Sequence, residues 1–330
     1  MIETMQDLQR VRRRLWHAGG HLNEFELYDM GVDGQGERLA AVLCQQGDFA
    51  CYHTGGGLFL RESPHAYLQA ELDFLAGGGV QLYSAVGSTN DVARQLLLAG
   101  AANGTAVLAD TQTAGRGQRG RAFSSPGGSG IYLTVLLRAV TDRFSPTWLT
   151  PASAVLASQA LEPFLTRELH IKWVNDLFLD GAKVSGILTE AVPGENGRIL
   201  GFLIGIGVNF ATEPALLPSV AGSLRDVLRV GSGRVEAAAA LIRAFREALP
   251  KAAADGSFLQ EYRRRSLLLG SEVKVVSPSG ESYLAVAEAI EDDCALVVRT
   301  ASGRRRLTTG EVSIRPVGES WRQCSDPAEK

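Results

Sequence analysis

Apolar and polar positions along this chain change period several times, and each change marks an element. Residues 6–16 carry apolar side chains at helical spacing, and 34–46 has room for a second short helix. Residues 49–61 read as strand, turn, strand around Gly55-Gly-Gly57, which is a hairpin. A helix over 65–75, bracketed by Pro64 and Gly77-Gly-Gly79, joins this unit to the rest. Ser88-Thr-Asn-Asp91 opens a helix running to about Ala99, with Ser88 and Asp91 spaced as a capping box. Strands follow at 105–110 and 131–138, then a largely helical stretch at 146–166. Residues 171–175, 177–179 and 183–191 read as strands around a turn at Asp180-Gly181, and 200–210 as a further, strongly apolar one. An alanine-rich helix at 234–249 and a shorter one at 258–265 complete an α+β pattern around a mostly buried sheet. From Gly270 the texture shifts to five short β-rich runs, 272–276, 283–290, 295–300, 304–309 and 312–316, which suggest a small barrel.

The length of 330 residues accommodates several domains. The texture divides them at 1–64, 65–269 and 270–317, with a polar tail over 318–330. Helices followed by a glycine-turned hairpin make 1–64 look like a winged helix. Its charge argues against DNA: six arginines face nine acids, a net of −3, and the second helix carries Arg38 as its one cation. A DNA reader needs a basic stripe to neutralise phosphates. The whole chain also has a net charge of −3, so no basic field points to nucleic acid or an anionic membrane. The first residues are acidic without a following apolar core, and no apolar run is long enough to span a bilayer, so a cytoplasmic protein is expected. Cys44, Cys51, Cys294 and Cys324 form no CxxC pair and signal neither a zinc site nor a disulfide framework.

Chemistry concentrates in a few segments. Thr113-Ala-Gly-Arg-Gly-Gln-Arg-Gly-Arg121 places three glycines and three arginines between two strands. Glycine lets backbone N–H groups close on a ligand, and arginine offers a planar fork to carboxylate or phosphate. The order is not that of a P-loop. Lysine is scarce, five in all, yet Lys172 and Lys183 fall in one short segment, each beside an apolar strand where a bare charge is costly unless paired. Gly186, Gly205 and Gly207 lie inside apolar strands, where glycine marks either close approach of a ligand or sheet packing. There is no nucleophile elbow, and His17 and His21 have no third metal ligand near them in sequence.

Ser88-Thr-Asn90, the 115–121 loop, Lys172-Trp-Val-Asn-Asp176 with Lys183-Val-Ser-Gly-Ile-Leu188, Gly205-Ile-Gly-Val-Asn209 and Gly310-Glu-Val-Ser-Ile-Arg315, in this order, resemble the biotin protein ligases over roughly residues 80–317. The resemblance implies a catalytic domain with a central mixed sheet, an SH3-like C-terminal barrel and a two-step reaction. Biotin and MgATP give biotinyl-5′-adenylate, and a lysine of a biotin carboxyl carrier protein then takes the biotin. It implies catalytic roles for Arg116, Lys183, Lys172 and Asp176, the last as a partner of Mg²⁺ or of the incoming lysine. Ser88, Thr89, Asn90, Gln112, Gly115 and Gly186 fall at biotin-binding positions, with Arg116 and Lys183. Gln118, Arg119, Arg121, Phe123, Asn175, Asn209 and Arg315 fall at nucleotide positions, with Arg116 and Lys172. Three residues depart from the family pattern: Gln118 replaces an arginine, Phe123 a tryptophan and Val174 a proline. The loss of charge at Gln118 is expected to loosen the grip on the adenylate.

Two rivals stand beside this reading. Lipoate or octanoate ligases share the fold, but the arginine-glycine loop and the C-terminal barrel fit biotin ligases better. Many family members also repress transcription through an N-terminal winged helix; the acidic 1–64 unit reads as a diverged version with weak or lost DNA binding. A homodimer stays open.

Overall fold

The computed structural model describes residues 5–316 except 33, 46–47, 62, 64, 139–144, 195–196, 231, 278–280 and 309–312. The chain starts with α1 (Met5–His17), β1 (His21–Leu22), α2 (Glu24–Asp29), α3 (Gly36–Gln45), β2 (Phe49–His53) and β3 (Gly57–Arg61). Helical spacing turns Leu8, Val11 and Leu15 of α1 inward against Leu22, Leu27, Leu39, Leu43 and Leu58. The strands form a sheet ordered β1-β3-β2. Helix α2 carries too few residues to show a period, but Asn23 caps it and Glu26 reaches back in a full capping box.

Helix α4 (Gln69–Ala76) starts four residues later than the sequence suggests. It joins the N-terminal unit to the body through Arg61, which bridges Glu71 of α4 and Glu236 further along. Burial alone raises the Glu71 carboxyl, but hydrogen bonds from Arg61 and His53 outweigh it and hold it at about 2.

The body contains β4 (Val80–Val86), α5 (Thr89–Leu98), β5 (Ala106–Gln112), β6 (Ile131–Arg138), α6 (Pro146–Leu161), β7 (His170–Lys172), β8 (Asp176–Leu179), β9 (Ala182–Pro193) and β10 (Ile199–Val208). The seven strands are ordered β4-β5-β6-β10-β9-β8-β7, and β4–β5 is the parallel pair of this mixed sheet. Central strand β10 is apolar throughout, and β6 is apolar apart from Thr134 and Arg138, because most of both faces is covered. Alternation divides them: Leu133, Val135, Ile204 and Ile206 join the main core with α6, whereas Leu136 and Leu203 pack with Ala93 and Leu97 of α5. Helix α7 (Arg234–Arg243) does not stop at Leu249 as expected. It continues through a π-helical turn at Ala244–Ala248 into α8 (Leu249–Asp255), and α9 (Leu259–Arg264) follows.

The C-terminal strands β11 (Glu272–Val276), β12 (Ser282–Ile290), β13 (Leu296–Thr300), β14 (Gly303–Leu307) and β15 (Ser313–Pro316) form one antiparallel sheet ordered β14-β13-β12-β11-β15. Among the described residues β14 and β15 are not paired with each other. The inner face of this sheet shares the main core. Trp173 donates to the Cys294 carbonyl at 2.9 Å and Trp148 to the Asp292 carbonyl at 2.8 Å, tying the sheet to the body. Among the described residues no helix is long and apolar enough to cross a membrane.

Arg234, fully buried at the start of α7, lies under the Tyr67 ring and donates to Asp110 (2.6 Å) and the Gly130 carbonyl (3.0 Å). Asp110→Ala leaves that guanidinium without its counter-charge. The expected cost is about 3–5 kcal/mol, read as a lower denaturant midpoint with an unchanged slope.

Candidate active site

A cavity of about 560 Å³ opens on the α5 face of the large sheet, between the start of α5, the arginine-glycine loop, β8–β10 and the 217–221 segment. Cross-strand register explains its floor. Tyr132, Gly207, Gly186, Asp176 and Lys172 lie opposite one another in one row across β6, β10, β9, β8 and β7. Thr134, Gly205 and Leu188 form the neighbouring row. The glycines keep the floor low: a Cβ on Gly205 would sit 2.3 Å from Asn90 Oδ1, and one on Gly207 would sit 2.4 Å from the Phe123 ring. They make room for side chains that line the cavity.

Lys183 reaches this floor through an irregularity. Leu177 pairs with Ser185 but Phe178 pairs with Lys183, so Val184 is an extra residue on β9. Plain alternation puts Lys183 and Gly186 on opposite faces; the bulge brings Lys183 onto the face of Asp176. Its Nζ lies 2.7 Å from Asp176 Oδ1, and Gly186 leaves space for the lysine stem, since a Cβ there would meet Nζ at 3.1 Å. Lys172 Nζ lies 5.5 Å from the centre of the Phe178 ring, in the cation–π range.

Strand β7 ends at Lys172, not at Asn175 as expected from the apolar run. Residues 173–175 turn instead, with a cis Trp173–Val174 peptide. Tertiary partners fix the turn: the Trp173 indole on Cys294, the Tyr262 hydroxyl donating to the Val174 carbonyl at 3.0 Å, and the Asn175 amide donating to the Ile187 carbonyl at 2.6 Å. Asn175 and Asp176 both line the cavity.

At the opposite end Ser88 occupies the N-cap of α5, but its side chain makes no capping bond, which overturns the capping-box expectation. Asp91 instead faces Arg116, which grips it with both forks at 2.8 and 2.5 Å. That hydrogen bonding holds the Asp91 carboxyl below its ordinary value. Thr89 donates from its backbone and hydroxyl to Gln112 Oε1 at 2.9 and 3.1 Å, while Gln112 Nε2 donates to Ser125 at 3.0 Å. The Thr134 hydroxyl lies 2.8 Å from Thr89 Oγ1 and 2.6 Å from Asn90 Oδ1. Asn90 Nδ2 donates to Glu190, which Arg94 also contacts. Such a paired chain presents fixed donors and acceptors.

The arginine-glycine loop is pinched at its base by the Arg116–Ala122 bridge and by Phe123 donating to the Gly115 carbonyl at 2.9 Å. Arg116, Gln118, Arg121 and Phe123 line the cavity; Gly115 and Arg119 are not among its lining residues. A Cβ on Gly115 would meet the Phe123 carbonyl at 2.7 Å, so this glycine serves packing under the loop. Arg119 adopts φ 58° within a tight turn. Asn209 is buried in the wall, its amide donating to the Gly222 carbonyl at 2.8 Å while its Oδ1 has no protein partner. Arg315 pairs with Lys274 in the C-terminal sheet; its side chain lies outside the described residues.

The cavity thus joins one end at Thr89, Asn90 and Gln112, where Arg116 holds Asp91, to a charged end at Lys183, Asp176 and Lys172. Asp91, Thr134, Glu190 and Phe178 belong to this arrangement and were not read from the sequence as site residues. Asp91 had a signal, its spacing from Ser88, but pointed to a cap; the others required knowledge of strand register.

Residues 83–209 match the model of the biotin/lipoate A/B protein ligase family, and 268–315 match the biotin protein ligase C-terminal domain. The biotin–[acetyl-CoA-carboxylase] ligase of Paracoccus denitrificans is 32% identical over 237 residues, covering 68% of this chain and 96% of that protein. The bifunctional ligase/repressor BirA of Bacillus subtilis is 27% identical over 271 residues, 78% of this chain and 82% of that protein. In fold, the chain superimposes on a biotin protein ligase from Aquifex aeolicus solved with biotin and ATP. The TM-score is 0.62 at 24% identity, over 72% of this chain and 99% of that one.

Proposed function

This chain belongs to the biotin protein ligase family, and from that premise we infer that it activates biotin with ATP and transfers it to a lysine of a biotin carboxyl carrier protein. The observation that carries the reading is one cavity holding both a polar chain suited to a cyclic urea and a cationic group suited to carboxylate and phosphate. The ureido ring of biotin offers one acceptor and two donors, and Thr89, Asn90 and Gln112 can satisfy both kinds without leaving polar groups unpaired. Gly205 and Gly207 let Asn90 and Phe123 settle against the floor of the cavity, where Phe123 supplies an aromatic wall.

In the first step a biotin carboxylate oxygen attacks the α-phosphorus of ATP, and the bond to pyrophosphate breaks. Arg116 and Lys183 neutralise the approaching anions, and Lys172 draws the phosphates to the same row. In the second step the carrier amine attacks the carbonyl of the adenylate, AMP leaves and the amine loses a proton. The nucleophiles belong to the substrates, so the protein works by positioning and charge. A single carboxylate beside phosphate-binding cations fits Mg²⁺, which takes one protein carboxylate plus substrate phosphates; Asp176 would hold it, and it would screen phosphate charge. We place the reaction in the cytoplasm, and Asn209 Oδ1, an unpaired acceptor, on the nucleotide side.

The test is ATP–pyrophosphate exchange by purified protein with biotin, lipoate or octanoate. Exchange that requires biotin supports the reading; exchange driven by lipoate alone moves the protein to the lipoate class. Gly205→Ala should crowd Asn90 by about 1–3 kcal/mol, raising the KM for biotin roughly 10- to 100-fold with less change in the KM for ATP. Gln118→Arg, restoring the missing cation, should slow release of biotinyl-adenylate about 5- to 10-fold, seen as less modification of bystander lysines. As for repression, α3 exposes Glu37, Arg38, Ala41, Cys44 and Gln45, a face poor in cations, so DNA binding stays the disfavoured alternative.

A further inference from the structure

The N-terminal unit and the body meet at a cluster that the ligase reaction does not use. Cys51 and His53 are two residues apart on β2, and the strand pleat sets both on one face. That face abuts α4, where Glu71 is fully buried. Cys51 Sγ lies 3.0 Å and His53 Nε2 2.8 Å from the same oxygen, Glu71 Oε1, and the sulfur and nitrogen are 3.7 Å apart. All three donor atoms fall within 4.8 Å of one another.

We propose that Cys51, His53 and Glu71 bind a zinc-class divalent cation that staples strand β2 to helix α4. A thiolate, an imidazole and a carboxylate form a donor set that favours zinc over magnesium or calcium. Without the metal, the thiol and the imidazole N–H both direct their protons at Glu71 Oε1. A cation between the three atoms takes the place of those protons. The thiol proton leaves to solvent, the imidazole proton moves from Nε2 to Nδ1, and no electron is transferred.

Arg61 holds both oxygens of this carboxylate. Its Nε donates to Glu71 Oε2 at 2.8 Å, the kind of hydrogen bond that commonly orients a ligating carboxylate. Its Nη2 donates to Oε1 and to Glu236, so on metal binding Nη2 yields Oε1 to the ion and keeps Glu236. With the thiol ionised, Cys51, Glu71 and Glu236 carry three negative charges against one positive on Arg61, and a divalent cation makes the cluster neutral. Cys51 and His53 are half-buried, which leaves an approach for the ion and a place for water as the fourth ligand. The sequence hid the site because its cysteines form no pair and Glu71 comes from a helix 18 residues beyond His53.

The full-length protein, stripped with a chelator and titrated with Co²⁺, tests this. The expected result is a near-ultraviolet thiolate-to-cobalt absorption that saturates at one equivalent and is displaced by Zn²⁺. Cys51→Ser should abolish that band, His53→Gln should weaken metal retention at least about tenfold, and Cys44→Ser should change neither. Biotin-dependent pyrophosphate exchange on the same samples reports that each is folded. Exchange-competent protein that develops no thiolate band overturns the proposal, as does a band that survives in Cys51→Ser.

Discussion

Arg116→Ala lowers kcat/KM for biotin-dependent pyrophosphate exchange by about 10²- to 10³-fold, the scale for losing a charged donor aimed at a developing anion. Without ligand the guanidinium is spoken for: it holds Asp91 with both forks. That pair is 36% and 48% exposed, so water screens it and it contributes under about 1 kcal/mol. A carboxylate or phosphate entering a less hydrated cavity competes with it easily. Asp91→Asn should therefore retain most activity, whereas Arg116→Lys should recover little, because an ammonium cannot present a bidentate fork. Steady-state exchange at saturating ATP measures all three. Activity in Arg116→Ala within threefold of the parent removes the residue from the reaction.

Lys183→Met is expected to cost a similar 10²- to 10³-fold, distributed differently. The substitution keeps the length of the stem and removes the ammonium, so Asp176 loses its partner and faces the incoming phosphates as an uncompensated carboxylate. If Lys183 acts chiefly on charge that develops as pyrophosphate departs, kcat and kcat/KM fall together while biotin affinity changes little. Direct biotin binding by calorimetry, beside the exchange kinetics, separates this from simple loss of the ligand. Adding Asp176→Asn should not restore the rate, because that carboxylate is also the proposed Mg²⁺ ligand, but the double variant should lose less than the two single losses combined; a fully additive double variant contradicts the coupling.

Much of the scaffold was legible because strong patterns and tertiary structure agree. The continuous apolar runs of β6 and β10 read as buried strands and are. Asp180-Gly181, both at positive φ, read as the hairpin turn between β8 and β9. Strand β4 was missed because it is an edge strand with polar and apolar residues mixed along it, and α2 because it is shorter than two turns. Residues 173–175 misled in the other direction: apolar side chains suggested a strand, but Trp173 and Val174 are apolar because they lie in the main core with Cys294 and Tyr262 while their backbone turns. In the site, the arginine-glycine loop was readable from its chemistry alone. Asp91 on Arg116, and Thr134 on Thr89 and Asn90, depend on distances through space that composition does not encode.

Val184 carries a lesson of a different sort. Its side chain points into the core and could be exchanged for another apolar one at small cost, so a survey of substitutions would rank the position as forgiving. The bulge makes the arithmetic of the strand the sensitive quantity. Straightening the strand with every residue kept would set Val184 opposite Phe178 and turn Lys183 to the far side of the sheet, its chemistry intact but out of reach, whereas removing Val184 would leave Lys183 opposite Phe178 on the Asp176 face. What is inherited at this position is a break in alternation rather than an identity, and exchanging one apolar side chain for another does not disclose it.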